Sequence, residues 1–272
     1  MVELTAGDNL SESGDFSRKK TAYCQHFALS HKDVFRIHQE AGLLGLKKRG
    51  SREFRNVAEH CLVAGIFADI LCELAGMGQT ERNRVVKAAI LHDWNKRDEV
   101  NKLSRILIDK SKMKGYARLS LRDIEEIKTT QAEFLRGNGV EAEIIRLSQA
   151  NIPETDEGPQ TLTEKIVWFV DAMLYDTEPV AVSQRMSQSQ KPTWDYTENI
   201  RIARNQRISE AYRARYRGRS LLEVQQALAP KVSADIAEAV GYQGEPAFLP
   251  EFLREQFVQR VMGFSDEAKA EG

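Results

Sequence analysis

The spacing of apolar residues constrains this chain most strongly. Long stretches repeat apolar residues at intervals of three and four, as the buried face of an α-helix does. We find no convincing alternation of apolar and polar residues and no hairpin turn between strand-like runs. Only 7 Pro and 17 Gly occur among 272 residues, so few positions interrupt the helical pattern. The sequence therefore predicts an all-α bundle.

Capping and breaking residues divide this pattern into separate helices. Ser120 with Asp123, and Thr161 with Glu164, have the spacing of a capping box, in which each residue satisfies an amide of the first helical turn. Gly76 and Gly137 stand where helices should end. We predict helices over 31–41, 54–76, 80 to the segment AAILHDW, 120–136, 141–149, 161–174, an Arg-rich stretch up to 219, 231–240 and 250–262.

The helical pattern has no strong linker that would separate two halves. We predict a flexible polar tail over 1–20, one helical domain over 21–264 with C-terminal helices from about 193, and a frayed acidic tail over 265–272. A chain of this length can bury a substantial core as one domain.

Charge, cysteine content and hydropathy indicate a cytoplasmic protein. The 39 basic and 40 acidic residues nearly cancel, which argues against binding nucleic acid by overall charge. The three cysteines are an odd number without a CxxC pair, as expected of reduced thiols. The apolar run 61–68 is too short to span a membrane, and the N-terminal segment lacks the apolar core of a secretory signal. We therefore expect no membrane partner, and a homo-oligomer stays open.

Four ionisable residues stand in apolar helical surroundings. His60 lies in NVAEHCLVAGIF, His92 and Asp93 lie in AAILHDW, and Asp171 lies in IVWFVDAML. A buried charge is costly unless it is paired, hydrogen-bonded or bound to a metal. Two imidazole nitrogens and two carboxylates suit a single Mn²⁺, Fe²⁺, Co²⁺, Ni²⁺ or Zn²⁺ better than Mg²⁺. The alternative to metal binding for Asp171 is a structural role as a buried carboxylate paired with an arginine.

The ordered set His, His-Asp, Asp resembles the HD-domain superfamily of metal-dependent phosphohydrolases. The resemblance covers roughly 52–176, and the wording NVAEHC is most similar to the nucleotidase-type members. It implies an HD-like helical bundle with a C-terminal helical extension. It also implies that His60, His92, Asp93 and Asp171 bind the metal, and that a metal-activated water attacks a phosphate ester.

Two departures from the family pattern refine this expectation. No histidine lies between Trp94 and Val170, where family members with two metals carry more, so we expect one metal ion. Nucleotidase-type members usually have a glutamate three residues after the His-Asp pair, where this chain has Lys96. A lysine suits a phosphate oxygen better than it suits general-base chemistry.

Basic residues near these motifs are candidates for binding a phosphate. We expect Arg52 or Arg55, together with Lys96, to neutralise charge on the phosphate, and we assign Lys96 and Asp93 to the catalytic group. A second set of arginines, interleaved with Tyr212 and Tyr216, could bind a nucleotide or nucleic acid, or could form a solvated helix face. These arginines occupy positions 201, 204, 207, 213, 215, 217 and 219.

The sequence predicts a metal-dependent phosphohydrolase acting on a small phosphorylated metabolite, with a nucleotide as the leading substrate. Two alternatives stay open. One is a metal or nucleotide sensor without turnover, since Lys96 replaces the glutamate. The other is a nucleic-acid phosphodiesterase, which the arginine-rich stretch suggests and which is not favoured.

Overall fold

The described part of the chain is almost entirely helical, which confirms the all-α class. The structure is a computed structural model that describes residues 14–44, 55–114, 119–188 and 196–265. Those ranges contain twelve α-helices: α1 (Gly14–Ser30), α2 (Lys32–Glu40), α3 (Arg55–Leu74), α4 (Gln79–Leu91), α5 (Lys96–Lys114), α6 (Leu121–Gly137), α7 (Ala142–Ser148), α8 (Leu162–Met173), α9 (Val182–Gln188), α10 (Tyr196–Ala211), α11 (Leu221–Ala239) and α12 (Leu249–Gly263).

Short elements connect some of these helices. Two-residue strands, β1 (Leu174–Tyr175) and β2 (Glu178–Pro179), pair antiparallel directly after α8. Single 3₁₀ turns cover Tyr212–Ala214 and Pro246–Phe248. None of the described helices combines the length and apolar character needed to cross a membrane.

The core is built around α3, α4 and α8. Helix α3 is buried along most of its length, and it packs against both α4 and α8. Gly65 permits a close approach of α3 and α4, since a Cβ at this position would lie 2.6 Å from Cγ1 of the fully buried Ile90. The burial of these three helices fixes the relative positions of the polar side chains that they carry.

The C-terminal helices α11 and α12 pack against earlier helices of the chain. Helix α11 contacts α8 and α9, and α12 contacts α1 and α3. Asp69 on α3 binds Arg82 of α4 and Arg260 of α12, and these two guanidinium groups outweigh burial and hold the pKa of Asp69 below its usual value. One carboxylate therefore links the consecutive helices α3 and α4 to α12, which lies far from them in sequence.

The sequence does not predict the first helix, and the predicted helix 31–41 corresponds to α2. Helix α1 starts at Gly14, so 14–20 are helical and only 1–13 of the predicted polar tail lie outside the described residues. This helix buries Cys24 and Phe27 and packs against α12, which the polar composition of its first turns does not reveal. The predicted acidic tail also lies outside the description from position 266 onward.

Helix α11 is longer than the segment 231–240 that the sequence predicts. It begins at Leu221, has a complete capping box between Ser220 and Glu223, and continues through Pro230. A proline usually ends a helix because it lacks an amide hydrogen and crowds the preceding turn. Here Pro230 is exposed, while Val224 and Val232 are buried on either side, so burial of the apolar face outweighs the local break.

The two capping boxes that the sequence predicts are both present. Ser120 and Asp123 cap α6, and Thr161 and Glu164 cap α8. Helices α3 and α7 also begin and end within two residues of their predicted bounds, whereas α4 ends at Leu91, before the end of the segment AAILHDW.

Replacing Gly65 with alanine should destabilise the protein, because the added methyl group collides with Ile90 at the contact between α3 and α4. We expect a loss of about 1–3 kcal/mol in the free energy of unfolding, measured by urea denaturation. Gly137→Ala, at the end of α6 with open space around it, is the matched control and should leave stability equal or slightly higher. Equal stability of the two variants would contradict the close packing.

Candidate metal centre

Three core helices bring His60, His92 and Asp171 together. His60 lies in the second turn of α3, His92 caps the C-terminus of α4, and Asp171 lies in the last turn of α8. Their side chains are 12%, 1% and 17% exposed. Each of these polar groups lies on a helix whose other contacts are mostly apolar, so packing of the core sets the geometry of the cluster.

The three side chains converge on one point. Nε2 of His60 lies 3.2 Å from Nε2 of His92. Oδ1 of Asp171 lies 3.4 Å from the first nitrogen and 3.6 Å from the second. Among the described residues, these three form the group whose ligand atoms lie close enough together to hold one metal ion.

The opposite nitrogen of each ring is fixed by a backbone carbonyl. Nδ1 of His60 donates to the carbonyl oxygen of Asp176 at 2.6 Å, and Nδ1 of His92 donates to that of Ala89 at 2.7 Å. A carbonyl oxygen can only accept, so both Nδ1 atoms carry the hydrogen and both neutral rings present a bare lone pair at Nε2. Metal-binding histidines are oriented by hydrogen bonds of this kind.

The donor set fits a divalent ion. Two nitrogen lone pairs and a carboxylate oxygen face each other, and no hydrogen of the neutral rings lies between them. The three donor atoms lie 3.2–3.6 Å apart. Ligand atoms at roughly 2.0–2.1 Å from a tetrahedral metal ion would lie about 3.4 Å from one another, which is close to these separations. The two nitrogen lone pairs and the carboxylate oxygen repel one another, and each would be attracted to a cation placed between them.

Asp171 also has an arginine partner, as the alternative of a buried ion pair predicts. Nη2 of Arg185 on α9 lies 3.2 Å from Oδ1, and Nε of Arg185 donates to the carbonyl of Leu174 at 2.8 Å. Burial alone would raise the pKa of Asp171, but Arg185 and the two imidazoles hold it well below its usual range. This ion pair balances the carboxylate charge, but it supplies no hydrogen to either Nε2.

The same carboxylate acts on the nearer imidazole. Burial alone would lower the pKa of His60, but the hydrogen bond and the charge of Asp171 raise it above the ordinary value. The cluster therefore attracts positive charge at Nε2 of His60, whether that charge is a proton or a metal ion.

Asp93 lines the same cavity but does not join the group of three converging ligand atoms. Its Oδ1 lies 3.2 Å from Nζ of Lys96, one turn further along the chain. Burial works against ionisation, but Lys96 holds the pKa of Asp93 below its usual value, and Asp93 with Glu99 raises the pKa of Lys96. The predicted catalytic pair is therefore a salt bridge at the edge of the triad.

The predicted phosphate-binding arginines have no described side chains. Arg52 lies in 45–54, outside the described residues, and of Arg55 only the backbone at the start of α3 is described. Lys96 is the one member of that predicted set whose side chain is described, and it lines the cavity.

A cavity of about 670 Å³ opens in front of the triad. Its described lining contains more basic than acidic side chains, with Asp93, Glu99, Asp171 and Asp176 as the acids. The basic side chains are Lys96, Lys128, Arg185, Arg201 and Arg204. Of these, Lys128 and Arg185 carry no local sequence signal, whereas Arg201 and Arg204 belong to the predicted arginine-rich stretch.

Three of the other five arginines of that stretch form ion pairs within the protein, and its two tyrosines belong to the core. Tyr212 and Tyr216 are fully buried and stacked on each other, so neither ring can stack on a base. Arg213 pairs with Glu210 and Glu223, Arg215 with Glu125, and Arg219 with Asp156. The idea of an exposed aromatic and basic surface for nucleic acid is therefore wrong for these two tyrosines.

Comparisons with known proteins add no relative. Neither a scan against protein-family models nor searches of curated proteins and of solved structures found a match.

Removing one imidazole of the triad should remove metal binding. We expect wild-type protein, dialysed against Zn²⁺ or Mn²⁺, to retain about one ion per chain by elemental analysis. His92→Ala should lower the affinity about tenfold or more, because only two of the three donor atoms remain.

His26→Ala is the matched control, since this histidine is exposed on α1 and lies outside the cavity. It should bind metal as the wild type does. Equal metal content in His92→Ala and in the wild type would contradict the assignment of the site.

Proposed function

We propose that this protein is a metal-dependent phosphohydrolase that cleaves a phosphate ester of a small metabolite, with a nucleotide as the leading substrate. The observation that carries the proposal is the convergence of Nε2 of His60, Nε2 of His92 and Oδ1 of Asp171, with both Nδ1 atoms already bonded to carbonyl oxygens. The resemblance to the HD-domain superfamily assigns a metal to these same residues.

The side chains of the triad would bind the metal ion, and two backbone carbonyls would orient the histidine rings. His60 and His92 would hold one divalent ion through Nε2, and Asp171 would hold it through a carboxylate oxygen. Such an ion lowers the pKa of a bound water and polarises a phosphoryl oxygen. The carbonyls of Asp176 and Ala89 keep the two rings in the required tautomer, and the apolar core keeps them from rotating.

The cavity lining supports an anionic, hydrogen-bonding substrate. Its basic side chains match phosphate oxygens. Carboxamide groups, which both donate and accept, also line the cavity and suit a base edge or a sugar hydroxyl. These are Asn56, Gln131, Gln149, Asn151, Asn205, Gln206 and Gln225. This combination of charge and amide groups favours a nucleotide over a simple phosphate monoester.

Asp93 and Lys96 would act at the edge of the reacting phosphate. The resemblance gives Asp93 the role of a fourth ligand, and Lys96 would place its ammonium on a phosphate oxygen. Their salt bridge keeps both groups ionised, so a carboxylate oxygen of Asp93 can accept a hydrogen bond from the attacking water.

A sensor without turnover is the second candidate. The observation that favours it is that Asp93 is paired with Lys96 and that Asp171 is paired with Arg185. If these salt bridges persist when ligand binds, the site would bind a metal and a nucleotide without hydrolysis. Tight nucleotide binding without product formation would distinguish this function from the first.

Phosphate release tests the proposal. Purified protein with Mn²⁺, Co²⁺ or Mg²⁺ should release phosphate from at least one member of a panel of nucleotides and phosphorylated metabolites. His92→Ala and Asp93→Ala should each lower kcat/KM by about 100-fold or more, because each removes a group that would stabilise charge at the reacting phosphate.

Asp98→Asn is the control, since Asp98 lies on α5 outside the cavity lining and pairs with Lys102. It should keep wild-type activity. Full activity in either His92→Ala or Asp93→Ala would contradict the proposed mechanism, and metal binding without release from any compound would favour the sensor.

A further inference from the structure

The cavity contains two basic side chains that the proposed chemistry does not use. Lys128 extends from α6 and Arg204 from α10, whereas the triad lies on α3, α4 and α8. Both side chains line the cavity and both belong to half-buried residues. Neither side chain therefore comes from a helix that carries a metal-binding atom.

The other described basic groups of the cavity, Arg201 aside, have carboxylate partners. Lys96 pairs with Asp93 at 3.2 Å and with Glu99 at 3.6 Å, and Arg185 pairs with Asp171. In contrast, no carboxylate of the described residues lies within ion-pair distance of Lys128 or Arg204. Glu99 is the acidic group whose charge acts on both, and it is already engaged by Lys96.

Burial makes this arrangement costly for the free protein. Loss of solvent, with the positive charge of Arg215 nearby, lowers the pKa of Lys128 to about 8. Burial likewise lowers the pKa of Arg204. Nζ of Lys128 lies 5.9 Å from the ring centre of Tyr212, but Arg215 occupies the same ring at 5.3 Å and has Glu125 as its own partner. Two desolvated cations thus lack a counter-charge that an anion could supply.

We propose that Lys128 and Arg204 form a second anion subsite, which binds a phosphate group of the ligand other than the one that faces His60, His92 and Asp171. The proposal rests on the proposed function for the identity of the cavity as the substrate site. It restricts the substrate class to molecules with at least two anionic groups, such as a nucleoside polyphosphate or a bisphosphorylated metabolite. A monophosphate would leave one subsite empty and would bind more weakly.

Binding of inorganic pyrophosphate in the presence of a chelator tests the subsite without the metal. Titration calorimetry on the full-length protein in EDTA should detect pyrophosphate binding. Lys128→Gln and Arg204→Gln should each weaken that binding about tenfold, because each removes a charged hydrogen-bond donor. Lys128→Arg retains the charge and should restore most of the affinity.

Two controls match these changes in position and charge. Arg122→Gln on α6 and Arg207→Gln on α10 remove exposed charges outside the cavity lining and should leave pyrophosphate binding unchanged. Because the titration is carried out in EDTA, pyrophosphate binding is measured on protein without a bound divalent ion. If the protein shows no metal-dependent hydrolysis, the pyrophosphate titration still tests the anion subsite. If pyrophosphate does not bind, the assignment of His60, His92 and Asp171 as metal ligands is unaffected.

Thermal stability gives an independent readout. If Lys128 served mainly in packing, its replacement would lower the stability of the folded protein. If it serves to bind a ligand, its desolvated charge should destabilise the ligand-free protein. Lys128→Gln should therefore raise the Tm of the ligand-free protein while weakening pyrophosphate binding. Absence of pyrophosphate binding to the wild type, or wild-type affinity in Lys128→Gln and Arg204→Gln, would overturn the proposal.

Discussion

The site depends on one interaction: two imidazole lone pairs and one carboxylate oxygen are held against each other inside a packed core. The hydrogen bond from each Nδ1 to a carbonyl oxygen fixes the tautomers, and the burial of α3, α4 and α8 prevents the groups from moving apart. Such an arrangement is unfavourable without a positive charge at its centre. The fold therefore holds three donor atoms close enough together to bind one metal ion.

The helices after α8, which carry no recognised motif, complete the cavity. Helices α10 and α11 supply lining residues opposite the triad, and Arg185 of α9 reaches Asp171. Helix α12 is attached to the central helices through the pair of arginines on Asp69. These helices thus add lining to the cavity that opens in front of the triad, including the basic residues Arg185, Arg201 and Arg204.

Local sequence signals predicted what local chemistry determines. The three- and four-residue periodicity predicted the helices, and the pairs Ser120/Asp123 and Thr161/Glu164 predicted two of their starts. Features set by distant packing were missed, including the start of α1 and the passage of α11 through Pro230. In the site, the apolar surroundings of His60, His92 and Asp171 were informative because a buried polar group needs a partner. The position of Asp93 depends on its salt bridge with Lys96. The positions of Arg185 and Lys128 depend on contacts between separate helices, which no local pattern encodes.

Anomalous diffraction from crystals grown with Zn²⁺ or Mn²⁺, recorded on both sides of the metal absorption edge, tests the central claim most directly. The account predicts one strong peak bonded to Nε2 of His60, Nε2 of His92 and a carboxylate oxygen of Asp171, with both Nδ1 hydrogen bonds retained. A protein in which Nε2 of His60 is bonded only to a proton shared with Asp171, with no anomalous peak between the rings at saturating metal, would contradict it.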